Sequence, residues 1–395
     1  MSLPAGQIGF HDSGRARLLP SQDSGRHVLG RLGRSLALPE SRKALQTSEV
    51  FDESDALPLD WEETGCLLCG SRRTTPLVEA PDVHGTGRGT RFQVVRCKDC
   101  GLCFTNPRPS PASIARFYRS DYKPHQGCGL SERQRRRARW RRHMPEFWRA
   151  RHPAGRGLPW HGQGRLLDFG CGSGAFLELM HLQGWRVLGI DISQETVGRI
   201  RRELNLPALA GTLPHPELRP EQFDVITMWH SLEHVHRPMD VLKHARDLLV
   251  PGGKLVVGVP NIASGPFRWF GPAWFCLDLP RHLTHFSPST LRRMVEAAGF
   301  RAQRVRMLRA SDWLCRSARR AQQEQQPGPR WLRFRPLARL ATSYLCWTGQ
   351  SDSMLLTAIK GKRGLAPSEA RCLSPFSVPS EARRLCPRAV REGTP

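Results

Sequence analysis

Residues 165–193, RLLDFGCGSGAFLELMHLQGWRVLGIDIS, decide the fold. Arg165 to Phe169 is a short apolar run carrying an acid, Asp168, near its end. Gly170, Gly172 and Gly174 alternate through a turn, and Ala175 to Leu182 places apolar residues at helical spacing. Gly184 stops that helix, and Val187 to Ile190 forms a second apolar run ending in Asp191. The order is strand, glycine turn, helix, strand, acid.

Glycine lacks a Cβ, so the backbone can turn sharply and approach a ligand, while the next helix aims its N-terminal amides at the same place. Two carboxylates about 20 residues apart, at the carboxyl ends of parallel strands, face one crevice, and the second is suited to a ribose. The pattern GxGxG after an acid is neither the GxGxxG of dinucleotide binders nor a P-loop, and no lysine follows to hold phosphate. A ligand with a ribose, a zwitterionic end and no phosphate fits better than NAD or ATP.

DFGCGSG with its downstream Asp191 resembles the cofactor signature of class I S-adenosylmethionine (SAM)-dependent methyltransferases, a resemblance that continues through FDVITMWHSLEHV and LLVPGGKLVVGVPN to about Lys362. It implies that Gly170, Gly172 and Gly174 line the methionine end of SAM. It also implies that Asp168 lies near the amino group, and that Asp191 binds the ribose hydroxyls with Ile192 against the adenine. Thr212-Leu213 stands where relatives often carry an acid near the adenine.

The rest of this half alternates helices and apolar strands. Glu195 to Leu204 reads as a helix, Ala208 to Gly211 as a third strand, Phe223 to Trp229 as a fourth, and Pro238 to Leu249 as a helix. Pro251-Gly252-Gly253 reads as a turn before a fifth strand, Lys254 to Val259. Arg301 to Leu308 and Ser353 to Lys360 complete an antiparallel hairpin edge. The expected fold is α/β, a Rossmann-like seven-stranded doubly wound sheet with a small N-terminal zinc-ribbon-like module.

Two histidine segments follow strand ends. His230-Ser-Leu-Glu233-His234 spells HxxEH, but a metalloprotease wants that motif within a longer helix and with a third ligand. It resembles instead the segment after the fourth strand in small-molecule methyltransferases; ubiquinone-pathway O-methyltransferases carry Glu-x-x-Glu-His there, which helps to bind a divalent cation. His230 replaces the first Glu, leaving Glu233 and His234 matched. The alternative is that Glu233 and His234 cap a helix. Asp278-Leu-Pro-Arg-His282-Leu-Thr-His285-Phe-Ser287 resembles the YHEHLSYFS segment of zinc-containing sugar C-methyltransferases, in which the second His is the general base. His282 takes that place, while Leu279, Arg281 and His285 replace Tyr, Glu and Tyr. A sulfonium methyl needs in-line alignment and removal of a proton from the acceptor, and imidazole titrates in the right range. The catalytic set expected is His282, backed by His285, Glu233 and His234; a histidine that merely caps the following helix is the competing reading. Arg281 could hold an acceptor carboxylate or phosphate.

Upstream, Cys66-Leu-Leu-Cys69 and Cys97-Lys-Asp-Cys100 form two CxxC knuckles, each followed by a glycine. Such a set can bind zinc tetrahedrally through four thiolates, a closed and therefore structural site, with Cys103 as a competing thiol and a redox pair as the competing chemistry. RCKDCGLCFTNPRPS followed by FYRSDY resembles the zinc module that precedes some bacterial methyltransferase domains. Tyr118 and Tyr122 either pack or approach the cofactor mouth.

The 395 residues carry a net charge of +25, and it is localised. Residues 105–165 hold 15 Lys+Arg against 3 Asp+Glu, and residues 301–363 hold 14 against 3. That balance favours anionic partners, whether a nucleotide-linked substrate, an acidic lipid surface or RNA. Seven arginines fall within 133–142, with Trp140 and Trp148 nearby. A solvated helix over the cofactor site is the expectation, and an RNA contact the alternative. In the insertion after residue 310, Trp331, Phe334, Leu337, Ala341, Tyr344 and Leu345 fall on one helical face among arginines. Packing on the sheet is expected there, with a membrane-interface helix or a lid as alternatives. No run of 18 apolar residues occurs, and twelve cysteines in this pattern suit a reducing cytoplasm.

The organisation expected is a disordered leader (1–60), a zinc-binding module (61–108), a basic helical bridge (109–160), a methyltransferase domain (161–362) and a disordered tail (363–395) with a short repeat, PSEARCLSPF and PSEARRLCPR. The function expected is methyl transfer from SAM to a small or carrier-linked acceptor. An RNA methyltransferase and a non-catalytic SAM-fold interaction module are the alternatives.

Overall fold

Strands buried on both faces read as continuous apolar runs, and Phe223–Trp229 (FDVITMW) is such a run, every residue but the last buried. It sits in the middle of a sheet. The computed structural model describes residues 59–82, 90–118, 127–142, 158 and 161–361. All but the last two residues of the expected leader, the whole expected tail, Tyr122 and Trp148 lie outside them.

In chain order the strands are β1 (Trp61–Glu62), β2 (Thr74–Pro81), β3 (Arg91–Cys97), β4 (Cys103–Thr105), β5 (Arg108–Pro109), β6 (Arg165–Phe169), β7 (Arg186–Asp191), β8 (Ala208–Ala210), β9 (Phe223–Trp229), β10 (Leu249–Pro260), β11 (Thr284–His285), β12 (Phe300–Leu308) and β13 (Ser353–Lys360). The helices are α1 (Glu132–Arg142), α2 (Ala175–Leu182), α3 (Gln194–Arg199), α4 (Pro238–Leu248), α5 (Gly265–Phe270), α6 (Pro288–Ala297), α7 (Ser311–Gln323) and α8 (Arg335–Trp347).

Seven strands form one sheet in the order β12-β13-β10-β9-β6-β7-β8. β10, β9, β6, β7 and β8 are mutually parallel, while β13 runs antiparallel to both β10 and β12. This is the α/β Rossmann-like sheet expected. Chain order reverses between β6 and β9, so the crevice beyond their carboxyl ends is the natural ligand site. Asp168 and Asp191 lie at the ends of β6 and β7.

Two local readings need correction. Pro251-Gly252-Gly253 lies within β10, where pairing to β9 shifts register between Leu249 and Lys254; the glycines allow the strand to bulge and resume. The helix read over 195–204 is α-helical only to Arg199 and continues as a π-turn over Ile200–Leu204, ending at Asn205 in the left-handed region.

A second sheet, β11-β4-β3-β2, joins the cysteine-rich segment to the loop that carries His282 and His285. Thr284 and His285 of β11 pair with Phe104 and Cys103 of β4. The cysteine segment and the large sheet share one apolar core, in which Val95, Leu102 and Phe104 belong to the same cluster as Met228, Leu255, Phe286 and Leu291.

Candidate active site

The glycine turn takes the shape its residues allow. Gly170, Gly172 and Gly174 all adopt positive φ, at 71°, 49° and 74°. A Cβ at Gly170 would collide with that of Ser231, and one at Gly174 would press on Leu204 and Ile200. The Gly170 amide donates to the Ile190 carbonyl (2.8 Å), which clamps the turn to the end of β7.

Asp191 is buried, and its Oδ2 accepts from the Gly172 amide (2.9 Å) and its Oδ1 from the Ser193 amide (3.0 Å). A carboxylate at the end of β7 is the kind of acceptor a vicinal diol requires. Ile192 beside it is 74% exposed, an apolar surface positioned for a flat heterocycle. Asp168 is buried and accepts the Thr227 hydroxyl (2.6 Å). Burial pushes its carboxyl up to about 8; the Thr227 bond opposes this and the Asp191 charge adds to it. A cationic group arriving there would restore the carboxylate. Nothing in the sequence marked Thr227, which meets Asp168 only because β6 and β9 are neighbours. Thr212 is exposed and Leu213 buried.

The histidines gather at the end of β9. Glu233, His234 and His282 each point a ligand-capable atom to within 4.8 Å of the others, and the His234 and His282 rings stand 4.6 Å apart. Glu233 is 1% exposed; its Oε1 lies 3.3 Å from His230 Nδ1, and its Oε2 has no hydrogen-bond partner among the described residues. Burial works to raise the Glu233 pKa, but His230 and the neighbouring imidazoles outweigh it and hold it below the usual range. Burial pushes His234 down to about 4 and His285 down to about 3.

The hydrogen bonds of His282 fix which nitrogen faces the cluster. Its Nδ1–H donates to the Cys276 carbonyl (2.9 Å), leaving the Nε2 lone pair available, with Asp278 Oδ2 at 3.8 Å. His234 likewise sets Nδ1 against the Arg281 carbonyl (3.1 Å) and the Tyr118 hydroxyl (3.1 Å). Tyr118 thus reaches the cluster. The Thr105 hydroxyl donates to the His282 carbonyl (2.7 Å), so it accepts from His285 Nε2 (3.2 Å). His285 stands apart from the other three and ties β11 to β4.

Neither capping alternative survives. The helix after His285 is capped by Ser287 and Thr290, which exchange bonds with each other's backbone amides. α4 begins with no side-chain cap, and Glu233 and His234 sit in a separate 3₁₀ turn. Arg281 is no acceptor clamp. Its guanidinium is 0% exposed and donates to Asp278, Asp82 and the carbonyls of Phe117 and Leu279.

The four cysteine sulfurs converge. Cys66 and Cys100 Sγ lie 3.3 Å apart, Cys69 and Cys97 Sγ 3.6 Å, and all four fall within 4.8 Å of one another. Gly70 and Gly101 turn the two knuckles at φ of 75° and 76°. Sulfurs held at about 2.3 Å from a tetrahedral zinc would be roughly 3.8 Å apart, so the spacing is compatible with that ion. Burial pushes the Cys66 thiol up to about 11. Burial would also raise Cys97, but the amides of Cys100 and Asp99 outweigh it and hold it at about 7. Cys103 is outside the set, buried on β4. The Cys100 carbonyl accepts from Arg293 of α6 (2.9 Å), a tie between knuckle and main domain.

The insertion covers part of the site. Trp313 of α7 stacks edge-on against His230 at 4.9 Å, and Ser317 accepts from the Phe275 amide (3.0 Å), next to the residue whose carbonyl orients His282. α1 pairs Arg135 with Glu178 of α2 (2.5 Å) and presents Arg133, Arg136, Arg137 and Arg139 to solvent, in keeping with a solvated face.

Residues 132–305 match the family model described as a methyltransferase domain. A ubiquinone biosynthesis O-methyltransferase of Aeromonas salmonicida is 32% identical over 148 residues, covering 34% of this chain and 62% of that protein. One of Aliivibrio fischeri is 32% identical over 144 residues, 33% of this chain and 62% of that protein. The chain thus spans less than two thirds of the length of these curated relatives. Among solved structures, a SAM-dependent methyltransferase of Archaeoglobus fulgidus is similar at 20% identity and a TM-score of 0.36, covering 58% of this chain and 95% of that one, a likeness too slight to inform the site. With the glycine turn, the paired acids and the sheet order in place, the family match means that the chain carries a class I SAM-dependent methyltransferase domain.

Proposed function

We propose that this protein transfers a methyl group from SAM to a small or carrier-linked acceptor, with His282 as the general base. The observation that carries the reading is the tautomer of His282: its Nδ1–H is held by the Cys276 carbonyl, so the basic Nε2 faces the cluster beyond β9. SAM, when bound, supplies a methyl activated on sulfonium. The glycine turn gives close backbone approach, Asp191 offers acceptors to the ribose, and Asp168 offers charge to the ammonium. Glu233, held ionised, stabilises the imidazolium formed when Nε2 takes the acceptor proton. Trp313 and Tyr118 restrict water around the cluster. That the curated relatives are O-methyltransferases favours a hydroxyl acceptor.

Zinc at Cys66, Cys69, Cys97 and Cys100 belongs to the same proposal as a structural ion. With four thiolates the site is closed, and its strands carry β11 and hence the histidine loop. The ten described cysteines are all free, which supports a reducing compartment such as the cytoplasm. Incubating the purified protein with methyl-labelled SAM and fractionated cell extract tests the function. Label should enter a small-molecule or carrier fraction, and label confined to RNA would reject the acceptor class.

One observation favours a second reading. Glu233 Oε2 is buried without a partner beside two imidazole lone pairs, a donor set suited to a divalent cation that would orient an acceptor oxygen. Turnover that survives removal of every metal except the four-thiol zinc leaves the base reading in place; turnover restored only by added divalent cation replaces it.

A further inference from the structure

α8 was expected to lay a single apolar face on the sheet, and the structure divides that face in two. Ala338, Thr342 and Leu345, spaced i, i+4, i+7, are buried, with Leu345 against Gly265 of α5. Leu337, Leu340, Tyr344 and Trp347, spaced i, i+3, i+7, i+10, share the opposite side and are exposed, Leu340 at 70% and Trp347 at 84%. Trp331 and Phe334 in the preceding turn extend the exposed patch. A helix apolar on two opposite sides, one already packed, has a second face to cover.

The charge around the patch states what kind of surface would cover it. No Asp or Glu occurs between Glu324 and Asp352, while Arg330, Arg333, Arg335 and Arg339 all lie exposed beside the aromatics. Arg333 lies over the Phe334 ring at 4.8 Å and Arg335 pairs with Asp312 at 2.9 Å, whereas Arg330 and Arg339 make no ion pair among the described residues. Tryptophan, tyrosine and leucine beside arginine are the residues that settle at a headgroup boundary, apolar bodies in the acyl region and guanidinium groups on phosphate. Thirteen residues of α8 are too few to span a bilayer, and no described helix is long and apolar enough to do so. The geometry is that of a helix lying on a surface.

We propose that α8 and the turn before it form a docking face for an anionic lipid bilayer. The face is carried by α8, which packs on α7, the helix that sets Trp313 against His230, so a bilayer bound there lies against the elements roofing the site. The proposal stands on the exposed face and its charge, independent of which reaction the site performs.

The test is flotation of the full chain with phosphatidylcholine vesicles, alone or containing phosphatidylglycerol. Wild type should float with the anionic vesicles and not with the neutral ones, and rising salt should weaken it. The double variant Leu340→Ser/Trp347→Ser should lose anionic-vesicle binding by about tenfold or more. Arg330→Gln/Arg339→Gln should bind more weakly with a shallower salt dependence. Both should keep the wild-type circular dichroism spectrum and affinity for the demethylated product of SAM. Quenching of tryptophan fluorescence by brominated lipid should fall in a single Trp347→Phe variant, which leaves the helix intact. No flotation of wild type, or flotation unchanged in the Leu340/Trp347 variant, overturns the proposal. So does sedimentation showing a dimer that the same variant converts to monomer, which would assign the face to a second copy.

Discussion

Lowering the pH from 8 to 6 should weaken binding of SAM, or of its demethylated product, by about 50-fold, because Asp168 must give up a proton for the ligand's ammonium to enter. Asp168 is buried beside Asp191, and its carboxyl is pushed up to about 8. At pH 6 the free protein therefore holds a neutral acid whose ionisation costs about 2.7 kcal/mol at 1.36 kcal/mol per unit, against about 0.4 kcal/mol at pH 8, where half the sites are already ionised. The sign is fixed by linkage: binding releases a proton, so affinity rises with pH and levels off above the free-state pKa. For folding the same shift acts the opposite way to an ordinary carboxylate. The folded pKa lies above the unfolded value near 3.8, so the contribution to stability is full below that value and is lost as pH rises through about 8. Titration calorimetry with the demethylated product, in two buffers of different ionisation enthalpy at pH 6, 7 and 8, reads both quantities. Proton release should approach one per site at pH 6 and fall to about half at pH 8. Asp168→Asn should bind more weakly and show neither proton release nor pH dependence. Flat affinity and no released proton in the wild type would refute the account of Asp168.

The remaining predictions concern the base, the turn and the thiols. His282→Gln should lower kcat by about 10²–10⁴-fold while leaving SAM affinity unchanged in calorimetry; wild-type turnover on the true acceptor would remove the base assignment. Gly170→Val should abolish SAM binding, since a β-branched residue at φ of 71° would be strained and would meet Ser231; thermal melting will report lost stability alongside. Cys100→Ser should lower zinc content in elemental analysis and reduce kcat by loosening the pairing of β4 with β11. Stoichiometric metal with full turnover in that variant would separate the thiols from the site.

The cofactor side of the cleft was largely legible in the sequence. Glycines at alternate positions, an acid before them and an acid about 20 residues on are local features, and the turn at Gly170–Gly174 needs only its own residues to form. β6, β9 and β13 begin and end at the residues their apolar runs indicate. The CxxC pairs were equally plain, because a knuckle is defined within four residues. The acceptor side was not. Arg281 reads as an anion-binding group along the chain, and only the approach of Asp82, 199 residues away, turns it into a sealed structural cation.

Sequence alone, then, determined the doubly wound sheet, the glycine cradle and the presence of a four-thiol set, since each rests on contacts between near neighbours or on strand-long periodicity. Tertiary structure alone decided that the thiol module and the histidine loop share a sheet, which nitrogen of His282 is free, and which side of α8 is buried. The first depends on partners more than a hundred residues apart, the second on a loop that brings the Cys276 carbonyl back onto His282 six residues later, and the third on which of two apolar helix faces finds a neighbour. Periodicity reports that a face is apolar, whereas burial depends on what the rest of the chain brings against it.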